Sequence, residues 1–283
     1  MNNPPRVMAI HDMSGIGKCS LTVILPILSA MGAEVAALPT AVLSTHTGDI
    51  AGYTFRDLTD DMLPMSEHWY ALGLTFDALY SGWLGSGRQT ALVRSVFARH
   101  AHTGVFTVVD PVMGDHGRLY STYTQERVAD MRSLCSGADL ITPNLTEACL
   151  LLEEPYGGDC LTEAQILRLC ARLCDLGASQ AVLTGVSTHP GMIGAAAFDG
   201  VLSLHETPRI EGKWHGTGDI FCAVLLGSLL RGFPLDVAAA TATSFTSSAI
   251  VRTRDLGTDP RFGVDFERGL PALMMEVKND GEQ

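Results

Sequence analysis

The stretch Lys213-Trp214-His215-Gly216-Thr217-Gly218-Asp219-Ile220-Phe221 decides how the rest of the chain is read. Two glycines flank a hydroxyl residue, a carboxylate follows, and an apolar run without proline continues to Leu230. The run mixes small residues (Ala223, Gly227, Ser228) with large ones, the pattern of a buried helix. Its first turn would be Gly-Thr-Gly-Asp. A helix start has unpaired N–H groups and the positive end of the dipole, so it attracts an anion. Glycine lets that backbone approach a phosphate because no Cβ intervenes. Asp219 would then stand beside an electron-poor phosphorus, placed to take a proton from an attacking hydroxyl. A glycine turn closed by an acidic helix cap explains the same four residues without chemistry. The stretch alone leaves both readings open.

Outward from it, short apolar runs alternate with helical segments. Strands are expected over 7–10, 34–38, 78–81, 106–110, 138–142 and 180–184. Helices are expected over 21–31, 87–100, 164–176, 235–252 and 265–277, and another is opened by Leu145-Thr-Glu147. Runs over 192–198 and 201–206, joined by Asp199-Gly200, read as a hairpin. About eight strands and as many helices, mostly alternating, predict one layered α/β domain over 1–283 with a largely parallel central sheet. Such sheets bind ligands at the carboxyl ends of their strands. Three polar segments fall there: His11-Asp12-Met-Ser-Gly-Ile-Gly-Lys-Cys-Ser20, Ser44-Thr-His-Thr-Gly-Asp49 and Asp110-Pro-Val-Met-Gly-Asp115. The paired acids Asp110 and Asp115 suit Mg²⁺, which takes carboxylate oxygens and keeps several waters. The first segment is glycine-rich yet fits neither nucleotide motif: Asp12 and Cys19 break a Walker A loop, and Ser20 breaks a dinucleotide fingerprint.

Composition narrows the function classes. With 46% hydrophobic and 18% charged residues the chain is neither disordered nor a coiled coil. A net charge of −12 argues against a nucleic-acid partner, since a phosphate backbone demands a basic face. Seven scattered cysteines, odd in number and without a C-x-x-C pair, predict neither a disulfide framework nor a zinc site. No apolar segment follows the first charge and no apolar run reaches membrane length, so a cytoplasmic protein with no membrane partner is expected. On that expectation the sequon Asn144-Leu-Thr goes unused.

At this point the loops resemble a known family. Gly32-Ala-Glu-Val leads to Leu43-Ser-Thr-His-Thr-Gly48, and Ser81-Gly-Trp-Leu-Gly-Ser86, Asp110-Pro-Val-Met-Gly-Asp115, Thr142-Pro-Asn-Leu-Thr-Glu147 and Gly216-Thr-Gly-Asp-Ile-Phe-Cys-Ala223 follow in order. Together they resemble the ribokinase-like superfamily and, within it, the vitamin B6 kinases. The resemblance implies a three-layer α/β/α fold with an antiparallel edge hairpin, a homodimer, and ATP-dependent phosphorylation of a hydroxymethyl group on a small aromatic ring. It implies Asp219 as catalytic base and Gly216, Thr217 and Gly218 as the anion hole. It places Asn144 and Glu147 at Mg²⁺ and the phosphates, and Asp110 and Asp115 on the nucleotide and metal side. Asp110 and Glu147 would be the metal residues. Tyr120 and Thr184 would contact the nucleotide, and Thr47 and Trp83 the ring, the second being usually tyrosine. A monovalent cation such as K⁺ is compatible with the resemblance. One residue departs from it: B6 kinases usually carry serine where this chain has Asp12. The Asp-Met-Ser-Gly-Ile-Gly run looks more like the hydroxymethylpyrimidine kinases of thiamine synthesis, which in turn often have cysteine at the place of Asp219. The B6 kinase is therefore the expected class and the pyrimidine kinase the alternative. Asp12, which as a carboxylate only accepts hydrogen bonds, is expected either to face the ring or to cap the turn through the backbone of Ser14 or Gly15.

Overall fold

Strand β1 (Arg6–Ile16) runs through the interior of the sheet because Val7, Met8, Ala9 and Ile10 are all apolar and all fully buried. Its side chains alternate: Met8 and Ile10 join one core cluster, Val7 and Ala9 the other. A strand buried on both faces reads as a continuous apolar run rather than as alternating polarity. The computed structural model describes residues 3–121 and 123–279. After β1 come α1 (Leu21–Ala30), β2 (Glu34–Thr45), β3 (Phe55–Asp57), α2 (Thr59–Ala71), β4 (Ala78–Ser81) and α3 (Gly87–His100). Next are β5 (Phe106–Val109), β6 (Gly114–Asp115), β7 (Arg118–Leu119), α4 (Gln125–Cys135), β8 (Leu140–Ile141), α5 (Leu145–Leu152) and α6 (Glu163–Asp175). The chain continues through β9 (Gln180–Val186), β10 (Met192–Phe198), β11 (Leu202–Pro208), α7 (Thr217–Leu230), α8 (Leu235–Leu256) and α9 (Leu270–Asn279).

Nine strands form one sheet in the order β11-β10-β9-β8-β5-β4-β1-β2-β3, and β6 and β7 pair as a separate hairpin. The six strands from β9 to β2 are parallel neighbours, whereas β3, β10 and β11 join antiparallel. One face is covered by α2 to α6 and the other by α1, α7, α8 and α9, which makes three layers. The chain moves from β1 to β2 on one side and returns to β4 on the other. The carboxyl ends of β1 and β4 therefore flank a topological switch point, where doubly wound sheets open a ligand crevice.

Helix α7 is apolar all round, and every residue from Ile220 to Ser228 is buried. It starts at Gly216 with no side-chain cap, a deficit of only about a few tenths of a kcal/mol against a serine or aspartate cap. Burying Ile220, Phe221, Val224, Leu225 and Leu226 contributes about 1.5–3 kcal/mol each, so packing carries the helix and frees its first turn for another use.

The expected strands and helices are present, with differences. Strands β1 and β2 run on to Ile16 and Thr45, well into segments expected as loops, because they pair with each other beyond His11: Met13 with Val42, Ser14 with Leu43, Ile16 with Thr45. Helices α2 and α4, strand β3 and the β6–β7 hairpin were not anticipated. The C-terminal helix begins at Leu270 rather than at 265, after a 3-10 turn at Glu267–Gly269. The 199–200 turn is as expected, with Gly200 at φ +107°, where a side chain would be strained. All seven cysteines are free; Cys160 is exposed, Cys174 half-buried and the others buried.

Candidate active site

Four elements bring the polar residues together: the carboxyl ends of β1, β4 and β5, and the first turn of α7. Gly216 enters α7 at φ +75°, and a Cβ there would lie 2.1 Å from the Lys18 carbonyl oxygen. Only glycine permits both the dihedral and the approach. The helix start is thereby seated on the segment that links β1 to α1. Gly218 is different, since a Cβ there would meet nothing within 4 Å. The space over the first turn is open, as a helix N-terminus that receives an anion requires. Thr217 donates its hydroxyl to the Trp214 carbonyl oxygen (3.2 Å), which leaves its backbone in the turn.

Asp219 stands in that turn with both oxygens held. Its Oδ2 accepts the Ser20 N–H at 2.8 Å, and its Oδ1 lies 3.1 Å from His11 Nε2. His11 Nδ1 lies 2.9 Å from Asp12 Oδ1. Asp12 accepts two hydroxyls as well, Ser14 Oγ at 2.9 Å and Ser20 Oγ at 2.6 Å. Its carboxylate is thus committed to His11, Ser14 and Ser20. The expected contact with the substrate ring is not favoured by this arrangement, which engages Asp12 behind the base. Nor does it cap the turn through backbone, since its contact at Ser14 is to the side chain. Burial opposes the charge of Asp12, but the hydrogen bond and charge of His11, with the two serines, hold its carboxyl below the usual range. Burial likewise opposes charge on His11, yet the Asp219 and Asp12 carboxylates raise its imidazole to about 10.

Across the crevice, Asp110 follows β5 and Glu147 sits in the first turn of α5. Asn144 caps α5 and Glu147 returns the bond, so the N-x-x-E spacing is a reciprocal capping box. Glu147 Oε1 also accepts the Met113 N–H at 3.0 Å, and Asn144 Nδ2 donates to the Gly114 carbonyl oxygen at 2.9 Å. These bonds dock the β6–β7 hairpin on the helix start. Burial and the Asp219 charge push Asp110 up to about 7, against His11 and a Thr142 hydrogen bond. Burial and Asp110 raise Glu147 well above the carboxylate range. Mutual repulsion of two buried acids is the condition that a divalent cation relieves. Among the described residues no cluster of three His, Cys, Asp or Glu side chains would hold a metal alone.

The remaining expected residues are more peripheral. Tyr120 is exposed, and the charges acting on its phenol are those of Glu147, Asp115, Asp110 and Asp219. Asp115 is exposed on the small hairpin and accepts the His116 N–H. Thr184 in β9 donates its backbone N–H to the Pro143 carbonyl oxygen at 2.9 Å, beside the α5 cap. Thr47 is exposed on a turn anchored by His46, whose Nε2 lies 2.5 Å from the Arg261 carbonyl oxygen. Half-buried Trp83 follows β4, directs its backbone N–H at His11 Nε2 (3.2 Å) and meets Phe55 edge-on with centroids 6.4 Å apart.

Sequence reasoning passed over His11, Ser20 and Gly82. The available signal for His11 was its position, the first polar residue after a fully apolar strand, on the edge where such sheets bind ligands.

The chain resembles proteins of known class over nearly its whole length. It is 28% identical over 265 residues to the pyridoxine/pyridoxal/pyridoxamine kinase of Bordetella avium, covering 88% of this chain and 85% of that one. A Bacteroides thetaiotaomicron protein assigned as a phosphomethylpyrimidine kinase is 39% identical, with a TM-score of 0.92 and coverage of 96% and 94%. A second crystal form of it, with pyridoxal, superposes with a TM-score of 0.90 over 95% and 96% of the two chains at 39% identity. Pyridoxal kinase from Lactobacillus plantarum is 34% identical, with a TM-score of 0.88 and coverage of 97% and 98%. Residues 27–262 match the model of the phosphomethylpyrimidine kinase family. With the three-layer sheet and the Gly216–Asp219 turn, these matches establish that the chain belongs to the phosphomethylpyrimidine kinase family of the ribokinase-like superfamily.

Proposed function

We propose that the protein is an ATP-dependent B6 kinase, one domain that phosphorylates the hydroxymethyl group of pyridoxal, pyridoxamine or pyridoxine. The observation that carries this reading is Asp219 in the uncapped first turn of α7, beside the open space at Gly218. The 39%-identical Bacteroides protein, crystallised with pyridoxal, supports the substrate class.

Phosphoryl transfer needs alignment and a place for negative charge more than covalent help. Asp219, fixed by Ser20 and His11, orients the substrate hydroxyl and takes its proton as the new O–P bond forms and the bond to the β-phosphate oxygen breaks. The N–H groups of Gly216, Thr217 and Gly218 receive the charge on the transferred group. Asp110 and Glu147 are the residues that would hold Mg²⁺, which when bound neutralises phosphate oxygens. Asn144, Asp115, Tyr120 and Thr184 line the nucleotide side, and Thr47 and Trp83 the ring side. Asp12 acts behind the base rather than on the ring. A monovalent cation such as K⁺ is part of the proposal only as an activator to be titrated. Seven free cysteines support a reducing cytoplasmic setting. Among the described residues no helix is long and apolar enough to cross a membrane. Exposed Ile16, Val42 and Phe55, at the outer ends of β1, β2 and β3, are a candidate homodimer surface.

A second reading, a hydroxymethylpyrimidine kinase, is favoured by the matched family and by the class assigned to the Bacteroides protein. An ATPase-coupled assay with pyridoxal, pyridoxamine, pyridoxine and hydroxymethylpyrimidine separates the two. Turnover of the pyrimidine alone would replace the B6 reading.

A further inference from the structure

His11 carries no part of the motifs described above, yet it is the hinge of a closed circuit of contacts. Its Nε2 lies 3.1 Å from Asp219 Oδ1 and its Nδ1 lies 2.9 Å from Asp12 Oδ1. Asp12 Oδ1 accepts the Ser20 hydroxyl, and the Ser20 N–H returns to Asp219 Oδ2. Ser20 holds this place at φ +56°, a dihedral that non-glycine residues adopt only when their surroundings impose it. His11 is 2% exposed, and Gly82 makes room for its ring: a Cβ there would stand 1.8 Å from His11 Cδ2. From β4, Tyr80 meets the ring edge-on at 6.5 Å, and from the end of β5 Asp110 feels its charge. Two backbone N–H groups, of Asp12 (2.9 Å) and Trp83 (3.2 Å), also approach the ring nitrogens.

These neighbours constrain the proton count. A neutral imidazole has one N–H. It could serve one carboxylate only and would set a lone pair against the other. An imidazolium donates to both, and two contacting carboxylates compensate the burial of its charge. The two amides are neutral dipoles and are outweighed by the two anions.

We propose that His11 is a positioning residue for phosphoryl transfer, held as an imidazolium between Asp12 and Asp219 so that the base stays fixed and ionised. The proposal rests on the kinase reading of Asp219. Asp110, Glu147 and an incoming nucleotide all add negative charge around Asp219, and together they would draw a proton onto it. A protonated Asp219 cannot accept the proton of the substrate hydroxyl. The buried cation opposes that, and it keeps both its own protons throughout: the proton released by the hydroxyl goes to Asp219 and from there to water after product leaves. Asp12 works at one remove, by holding the proton on His11 Nδ1.

The test is ¹⁵N spectroscopy of the histidine rings in the full-length protein, followed by pH–rate profiles. At about pH 8, where an unperturbed histidine is neutral, His11 should show two protonated ring nitrogens. A single protonated nitrogen there would overturn the proposal. Asp12→Asn should bring the titration midpoint of His11 down by about one pH unit or more. Its kcat should fall on the alkaline side at a correspondingly lower pH, with KM for pyridoxal changed by less than about threefold. A kcat lowered equally at every pH, with an unchanged profile, would mean that the circuit is only structural. Should the wild-type protein turn over none of the four substrates, the kinase reading fails, whereas the ring spectrum still decides the bridge.

Discussion

In the proposed mechanism Asp219 is the base, and its replacement separates geometry from proton affinity. Asp219→Asn keeps the shape and still accepts the Ser20 N–H, so ATP binding should persist while kcat falls by ~10²–10⁴. Near-normal kcat at unchanged ATP affinity would remove the residue from its role. Asp12 carries a different expectation. Because its oxygens face His11, Ser14 and Ser20, Asp12→Ser should lower kcat/KM for all four candidate substrates by a common factor. A reordering of the substrates would return Asp12 to the ring. Leaving His11 without its buried partner should also cost stability, about 3–5 kcal/mol for a broken buried pair, visible as a lower Tm. The pH dependence has a defined sign. His11 is raised from 6.5 to about 10, so the folded state binds a proton that the unfolded state has released. This stabilisation is complete below about pH 6.5 and is lost as pH rises through about 10. Chemical denaturation across that window should show a slope that His11→Gln lacks.

At the scale of elements, the two glycines of the α7 turn make opposite predictions. Gly216→Ala places a methyl against the Lys18 carbonyl at a positive φ, so the protein should lose stability by about 1–3 kcal/mol or more. Gly218→Ala meets open space and gains helix propensity, so its Tm should hold or rise. Its kcat should nonetheless fall tenfold or more, about 1.4 kcal/mol, because the methyl occupies the place of the transferred group. Full activity in that variant would empty the anion hole of meaning. These contrasts also show what the sequence made legible. Strands β4, β5, β8 and β9 announced themselves because burial on both faces needs uninterrupted apolar residues. The second half of β1 did not, since His11, Asp12 and Ser14 carry no strand signal. Their pairing with β2 overrides it, across an irregularity where Thr40 and Ala41 stand opposite Asp12 alone. Helix α2 was silent for a related reason, as it carries Pro64 and few buried side chains. Asp219, Glu147 and Asp110 were legible as candidates because each lies in a local motif. His11 was not: its meaning depends on Asp219, as does that of Ser20, which lies 199 positions from Asp219 in the chain.

For the whole molecule, the sheet order suits the proposed meeting of two ligands in one domain. On that proposal the ring-side residues follow β2 and β4, the nucleotide-side residues follow β5 and β8 or lie in β9, and α7 would close the gap between them. Binding at both halves should therefore stabilise one cooperative unit. Saturating a non-hydrolysable ATP analogue with Mg²⁺ should raise Tm, by about 2.7 kcal/mol of linkage at a hundredfold excess over Kd. Separate transitions for two portions of the chain would contradict that unity. The cysteines lend the same question a simpler instrument. One thiol, Cys160, is open to solvent, Cys174 is half-covered and the other five are enclosed. An alkylating reagent applied to the native protein should therefore add one mass increment quickly and a second slowly. The last five should appear together, at the rate at which the fold opens. Intact-mass spectrometry of a single time course would then read out local breathing and global opening as separate clocks, with no dye, no tag and no substitution.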